Sequence, residues 1–307
     1  MEKSREINGA YRGRFAPSPT GPLHFGSLVT ALGSYLDARS HQGEWLVRME
    51  DLDRTREVEG AADWILNALE RFGFEWNGTV IYQSQRTQAY EAALETLMRK
   101  GQAYPCICSR NEIAMTAQTG KEGPIYPGTC RRGIERSDTA QSIRLLTQHR
   151  EIAYTDRIQG RIRQNPSLEI GDFIIRRRDG FYAYQLAVVV DDAWQEINQV
   201  VRGSDLLMST PRQRYLQQLL ALPTPDYAHI PLAVDGEGRK LSKQYRDAPV
   251  DINRPIDSLL QALSFLGQPL PAERPDNLSE FWRWAIRHWS VESIPAKQAL
   301  PVQPPAC

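Results

Sequence analysis

Absences set the first limits on this 307-residue chain. No apolar run approaches the roughly 18 residues that a membrane-spanning helix needs. The N-terminus, Met1-Glu2-Lys3-Ser4-Arg5-Glu6, is polar with no apolar stretch behind it, so no secretory signal is read there. Together these absences predict a soluble cytoplasmic protein with no membrane partner. Net charge is also missing: 37 Lys and Arg balance 37 Asp and Glu, which excludes a chain held to nucleic acid by overall charge alone. There are no internal repeats, and no G-x-x-x-x-G-K-[ST] phosphate loop. Cysteine is scarce. Of the four, Cys106, Cys108 and Cys130 cluster and Cys307 ends the chain. In a cytosolic chain that clustering favours a metal over a disulfide.

What is present is ordinary in bulk. Hydrophobic residues make up 41% and charged residues 24%, and the length suffices for two domains with a sizeable core. Charge is uneven in one place. Between Arg131 and Arg178 there are eleven Arg against six Asp or Glu. Such a surplus reads either as a solvated face or as a phosphate-contacting surface.

Periodicity gives a strand at Arg12–Ala16, a helix over His24–Ser40 and a strand at Glu44–Met49. An amphipathic helix follows over Glu57–Phe72, with Ala61, Ile65, Ala68, Leu69 and Phe72 on one face. Thr79–Tyr82 reads as a strand and Ser84–Lys100 as a helix with Ser84 as its N-cap. This alternation implies a parallel sheet covered by helices. It breaks from Ala103 to about Ile170, which reads as an insertion. It resumes with a strand at Phe173–Arg176, a helix at Tyr182–Trp194, a strand at Glu196–Arg202 and a helix at Thr210–Leu222. Helices at Ile256–Leu266 and Leu278–His288 follow. The proline-rich tail from Leu300 to Cys307 is expected to be disordered.

Two strings carry the chemistry. In Pro17-Ser18-Pro19-Thr20-Gly21-Pro22-Leu23-His24-Phe25-Gly26-Ser27, a turn hands over to a helix. A helix N-terminus attracts phosphate, Gly26 allows close approach, and His24 adds a donor on the first turn. In Asp235-Gly236-Glu237-Gly238-Arg239-Lys240-Leu241-Ser242-Lys243, two glycines make a mobile loop bearing two lysines. Those lysines can meet charge developing on a phosphate. A lone string of the second kind is ordinarily a surface turn; its weight comes from pairing with the first. For the cysteines, a closed metal site wants a fourth ligand, and Tyr126 and His149 are the candidates.

The paired strings resemble class I aminoacyl-tRNA synthetases. His24-Phe25-Gly26-Ser27 is similar to their HIGH motif, with Ser27 replacing the second histidine. Lys240-Leu241-Ser242-Lys243-Gln244 is similar to KMSKS, with Gln244 replacing the last serine. A third string, Arg48-Met49-Glu50-Asp51-Leu52-Asp53-Arg54-Thr55-Arg56, resembles the R-x-E-D-T-D-x-x-R segment of glutamyl-tRNA synthetases, as does Arg14-Phe15-Ala16-Pro17-Ser18. The resemblance implies an α/β class I synthetase fold with a Rossmann-like parallel sheet. It implies catalytic halves at 1–102 and 171–235, a zinc-binding insertion at 103–170, and the lysine loop with a small helical domain at 236–307. It further implies ATP binding by His24, Gly26, Lys240 and Lys243, with Mg²⁺ on the phosphates and with His24 and Lys243 catalytic. Arg14, Ser18, Glu50, Tyr184 and Arg202 would form a glutamate pocket. There Arg14 can hold a carboxylate bidentately and Glu50 can pair with the ammonium. Glutamine would leave a buried guanidinium without its anion, at about 1.5–3 kcal/mol or roughly 10–100-fold in affinity. The attacking carboxylate is already ionised at pH 7, so no general base is required. Alignment and electrostatic stabilisation would carry the reaction.

Only 64 residues follow Lys243, too few for the anticodon-reading domains of glutamyl-tRNA synthetases. The shortened plan resembles the glutamyl-queuosine tRNA(Asp) synthetases, which activate glutamate without tRNA and transfer it to queuosine in the anticodon loop of tRNA(Asp). The Cys106-x-Cys108…Tyr126-x-x-x-Cys130 spacing is similar to the zinc site of that family, where the metal is structural. A monomer is expected. The competing readings are a shortened glutamyl-tRNA synthetase charging a 3′ end, an adenylating ligase acting on a small amine, and an inactive RNA-binding relative.

Overall fold

A computed structural model describes residues 9–120, 122–134, 140–239 and 249–302. The chain starts with β1 (Arg12–Phe15), α1 (Phe25–Ser40), β2 (Glu44–Met49), α2 (Ala61–Arg71) and β3 (Ile81–Tyr82), then enters α3 (Thr87–Arg99) through a 3₁₀ turn at Gln83–Arg86. An irregular region follows, with β4 (Ala103–Cys106), α4 (Arg110–Thr116), β5 (Gln118–Gly120), β6 (Gly123–Ile125), β7 (Ser142–Leu145), β8 (Ile152–Asp156), β9 (Gly160–Gln164), α5 (Pro166–Glu169) and β10 (Ile174–Arg176). Alternation returns with α6 (Tyr184–Trp194), β11 (Gln199–Gly203), α7 (Thr210–Leu220), β12 (Asp226–Ile230) and β13 (Leu232–Val234). Helices α8 (Pro255–Phe265) and α9 (Leu278–His288) and strand β14 (Ala299–Pro301) complete it.

Strands β1, β2 and β3 pair in parallel, as do β11 and β12. Asn198 joins the two groups: its backbone N–H donates to the Arg12 carbonyl at 3.1 Å and its side chain accepts from the Arg12 N–H at 2.9 Å. The chain therefore leaves β1 toward β2 on one side and returns as β11 on the other. A parallel sheet opens a crevice at the carboxyl ends of its strands where the order reverses in this way.

Helix α1 buries residues around most of its circumference, because the sheet covers one side and α8 and α9 cover the other. Leu28, Leu32 and Leu36 are fully buried there, beside Trp45, Phe281 and Leu263. The α1–β2 turn must pass close to Tyr11. A Cβ on Gly43 would lie 2.5 Å from the Tyr11 carbonyl oxygen, so only glycine fits.

Several boundaries depart from the sequence expectations, each for a local reason. Helix α2 starts at Ala61 rather than Glu57, because Gly60 sits at φ 77° and the Arg56 and Glu57 N–H groups turn back onto the Asp53 carbonyl. Ser84 caps no helix: its N–H and hydroxyl both bond Asp51, at 2.8 and 2.6 Å, and a 3₁₀ turn intervenes. Strand β10 does not rejoin the parallel sheet. It runs antiparallel to β7, which also pairs with β4, so it completes a sheet of the irregular region. Leu300 and Pro301, expected in a disordered tail, lie in β14, which pairs in parallel with β13, and the Val302 N–H donates to the Val234 carbonyl. Proline is tolerated there because β14 is an edge strand.

Asp37 ties distant parts of the core together. It accepts from the Tyr11 hydroxyl at 2.5 Å, Arg157 at 2.6 and 3.0 Å, and the Trp289 indole at 3.1 Å. Burial pushes its carboxyl up, but Arg157, Tyr11 and Trp289 outweigh burial and hold it below the usual range. A depressed folded value contributes stability above the ordinary carboxylate pKa and loses it as pH falls through the folded one. Asp37→Asn is expected to lower unfolding free energy by about 2–3 kcal/mol at pH 7. In urea titrations the gap to wild type should close as the solution is acidified below about pH 4. An equal gap at pH 3 and pH 7 would refute this account.

Candidate active site and thiol cluster

A cavity of about 360 Å³ opens at the carboxyl ends of β1, β2 and β11. Arg14, Ser18, His24, Gly26, Glu50, Tyr184 and Arg202, all anticipated from the sequence, line it. Lys240 and Lys243 lie outside the described residues. Thr20 and Arg56, which fall within the Pro17–Ser27 and Arg48–Arg56 strings, also line it, as do Asp205 and Leu232, for which no role was expected. The Pro17 carbonyl accepts the Glu50 N–H at 2.9 Å, which pins the end of β2 to the loop after β1. Helix α1 begins at the cavity wall. His24 is its N-cap and accepts the Ser27 N–H through Nδ1 at 3.3 Å, so the histidine already has a local structural role.

The charged groups inside the cavity are layered. Arg14, 3% exposed, donates from Nε and Nη2 to the two oxygens of Asp192 at 3.2 and 3.4 Å. Fully buried Arg48 also pairs with Asp192 at 2.8 Å and reaches Glu50 at 3.3 Å. Burial drives the Asp192 carboxyl up, but Arg14 and Arg48 outweigh it and hold it down. Glu50 goes the other way: burial keeps its pKa raised despite Arg48 and Arg14. A cation entering beside Glu50 would relieve that penalty.

Arg202 is different. It is 3% exposed, and each group it bonds is uncharged: His229 Nε2 at 3.0 Å, the Tyr184 hydroxyl at 3.2 Å, the Leu206 carbonyl at 3.4 Å, Thr210 Oγ1 at 2.8 Å and Gln213 Oε1 at 2.7 Å. Arg14, expected to hold a ligand carboxylate, already has an internal carboxylate, whereas among the described residues Arg202, expected only to complete the pocket, bonds neutral groups alone. A buried cation without an anion favours a ligand that brings one.

The thiols form a second centre. The Sγ atoms of Cys106, Cys108 and Cys130 lie within 4.8 Å of one another, and Cys108 and Cys130 are 3.5 Å apart without a disulfide. The Tyr126 hydroxyl stands 3.4 Å from Cys106 Sγ and 3.6 Å from Cys108 Sγ, and accepts the Cys130 N–H at 3.0 Å. Four donors at such separations match the edges of a tetrahedron built on metal–ligand bonds of roughly 2.0–2.3 Å. Among the described residues the cluster excludes His149, which is exposed. Arg144 donates to Cys106 Sγ at 3.2 Å and lies 3.8 Å over the Tyr126 ring. Burial raises the Cys106 thiol, but Tyr126 and Arg144 bring it below its ordinary value, whereas burial pushes Cys108 up to about 11.

Part of the arginine surplus of 131–178 is paired with carboxylates of the protein itself or buried. Arg131 pairs with Asp172 at 2.6 Å, Arg157 with Asp37 at 2.6 Å and Arg177 with Asp53 at 3.2 Å, while Arg144 is buried. Arg132, Arg150 and Arg161 remain at the exposed surface.

The family described as "tRNA synthetases class I (E and Q), catalytic domain" matches residues 10–258. A glutamyl-Q tRNA(Asp) synthetase of Dechloromonas aromatica is 53% identical over 297 residues, covering 96% of this chain and 99% of that protein. One from Chromobacterium violaceum is 52% identical over 289 residues, covering 94% and 97%. The chain belongs to the glutamyl-Q tRNA(Asp) synthetase family. Among solved structures, a glutamate-tRNA synthetase of Elizabethkingia anophelis superposes with a TM-score of 0.78 at 24% identity, over 95% of this chain and 68% of that one. This glutamyl-Q tRNA(Asp) synthetase family member thus has the class I synthetase fold. No helix among its described residues is long and apolar enough to cross a membrane.

Within this glutamyl-Q tRNA(Asp) synthetase family fold, the residues that sequence reasoning missed are the supporting ones: Asp192, Gln213, His229 and Asp156. Asp192 sits two turns along α6 from Tyr184, in the pair Asp191-Asp192, which reads as ordinary surface acid. The only available signal was an acidic pair inside an otherwise apolar helix, where burial demands a partner.

Proposed function

We propose that this protein condenses L-glutamate with ATP to give glutamyl-AMP without tRNA, then transfers the glutamyl group to queuosine at the wobble position of tRNA(Asp). Arg202 carries the first half of the reading. A buried guanidinium bonded only to neutral groups, in the same cavity as Glu50, is complementary to a ligand with a side-chain carboxylate and an ammonium. The second half rests on relatives named glutamyl-Q tRNA(Asp) synthetase, which match 96% and 94% of this chain.

In the first step an α-carboxylate oxygen of glutamate attacks the α-phosphorus of ATP, the bond to the bridging oxygen breaks, and pyrophosphate leaves. No proton moves. Arg14 and Tyr184 flank the side-chain carboxylate held by Arg202, Glu50 takes the ammonium, and Ser18 lines the amino-acid end. His24 and Gly26, at the start of α1, meet the phosphates, Lys240 and Lys243 are assigned to ATP by their motif alone, and His24 and Lys243 stabilise the charge that develops. Mg²⁺ accompanying ATP supplies further charge neutralisation. In the second step a queuosine hydroxyl attacks the acyl carbon, AMP leaves with the bonding pair, and the hydroxyl proton is released. Cys106, Cys108, Cys130 and Tyr126 would hold one structural Zn²⁺, which supplies cross-linking of a region with little apolar core. The protein works as a cytoplasmic monomer.

The test is direct. Incubation with ATP, labelled glutamate and total tRNA should place label on the queuosine nucleotide of tRNA(Asp) after nuclease digestion. Label on a 3′ adenosine, or equal labelling of tRNA(Asp) lacking queuosine, would overturn the assignment.

A further inference from the structure

Behind Arg202 lies a pair of buried groups that never touches the cavity. His229, on β12, is fully buried, and Asp156, at the end of β8, is 2% exposed. His229 Nδ1 lies 2.5 Å from Asp156 Oδ2, and His229 Nε2 lies 3.0 Å from Arg202 Nε. A guanidinium nitrogen can only donate, so His229 must accept at Nε2 and carry its proton on Nδ1. The other tautomer would set two N–H groups against each other and leave the Asp156 oxygen without its donor. An imidazolium would place a second cation against Arg202, and burial together with Arg202 holds the His229 pKa down.

Asp156 is itself fixed. Its Oδ1 accepts the backbone N–H groups of Ile158, Gln159 and His229 at 3.0, 2.9 and 3.1 Å. The hairpin that carries it docks on the parallel sheet: the Arg157 N–H donates to the Tyr227 carbonyl at 2.9 Å, and the Tyr154 and Tyr227 rings meet at 5.9 Å. A hairpin inside the 103–170 region therefore supplies the carboxylate that sets the histidine tautomer. With Nε anchored on His229 and Nη2 on Thr210 and Gln213, the guanidinium can present only Nη1, beside Tyr184, toward the cavity.

We infer that His229 is a positioning residue that orients Arg202 for the ligand carboxylate, with Asp156 of the β8–β9 hairpin fixing the histidine tautomer and its place in the fold. This rests on the reading of Arg202 as the glutamate arginine. Two substitutions separate the two ends of the histidine. His229→Asn keeps a donor where Nδ1 meets Asp156 and removes the acceptor for Arg202. His229→Gln keeps an acceptor near the Nε2 position and removes the donor to Asp156.

In ATP–pyrophosphate exchange with the full chain, His229→Asn should raise the KM for glutamate about ten- to a hundredfold, leaving the KM for ATP within about twofold. Its Tm should stay within a few degrees of wild type. His229→Gln should keep the glutamate KM within about threefold while its Tm falls by more than that of the asparagine variant. Equal glutamate KM changes in the two variants, or parallel rises in both KM values, would overturn the inference and leave the glutamate reading standing. Absence of glutamate-dependent exchange in the wild type would instead remove that reading, and this inference with it.

Discussion

Arg202→Gln is expected to raise the glutamate KM in ATP–pyrophosphate exchange on the order of 10²–10³-fold, with the ATP KM within about twofold of wild type. The size follows from where the charge sits. Arg202 is 3% exposed and its five hydrogen-bond partners are neutral, so a bound carboxylate meets an unpaired cation inside the protein. Removing one member of a buried, hydrogen-bonded charge pair costs about 3–5 kcal/mol, and the lower part of that range is the energy equivalent of that change in affinity. The discrimination between glutamate and glutamine should shrink in the same variant, because the feature that distinguishes a carboxylate from an amide has gone. Arg202→Lys keeps the charge but not the planar fork, and should fall between the two. Arg14→Gln should cost less glutamate affinity, because Arg14 already shares Asp192 with Arg48. An Arg202→Gln enzyme with an unchanged glutamate KM would show that the anion lies elsewhere in the cavity.

Cys106→Ser is expected to take bound zinc, measured by plasma emission on purified protein, from about one per chain to near zero. It should also lower Tm on the order of 10 °C. Structural zinc contributes about 10–16 kcal/mol of apparent binding energy in small domains that fold only with metal. Here a separate hydrophobic core holds the catalytic sheet, so only part of that energy reaches global stability. A few kcal/mol corresponds to about that shift in a chain of this size. Glutamate-dependent exchange at 25 °C should stay within about threefold, since none of the four candidate ligands lines the cavity. Tyr126→Phe keeps the ring under Arg144 and removes only the oxygen, which separates ligation from packing. Wild-type metal content in Cys106→Ser would place the metal, if any, at another group.

The parts of this protein that were legible in its sequence are those written locally. Helical spacing at Leu28, Leu32 and Leu36 announced α1, and the Pro17–Ser27 and Arg48–Arg56 strings announced the walls of one cavity. The spacing of Cys106, Cys108 and Cys130 likewise announced a cluster that the fold assembles. What stayed hidden was long-range. Asp192 lies 178 positions from Arg14, and Asp156 lies 73 positions from His229, so no window of sequence holds both partners. Ser84 was misread for a related reason: its hydrogen bonds go to Asp51, 33 residues earlier, rather than to its own helix. Composition misled at the far end as well. The proline-rich segment from Leu300 reads as unstructured, yet Leu300 and Pro301 pair with β13.

That last pairing bears on the order in which the enzyme comes into being. Leu232 and Ala233 of β13 line the cavity, and β14 closes against them, while the Gln298 carbonyl accepts the Leu232 N–H at 2.9 Å. Synthesis proceeds from the N-terminus, and folding during it follows the same direction. Every strand of the parallel sheet has therefore left the ribosome before the segment that braces one cavity wall exists. A nascent chain lacking residues 298–301 would already hold Arg14, Glu50, Tyr184 and Arg202, but would leave the β13 wall of the cavity without its β14 partner.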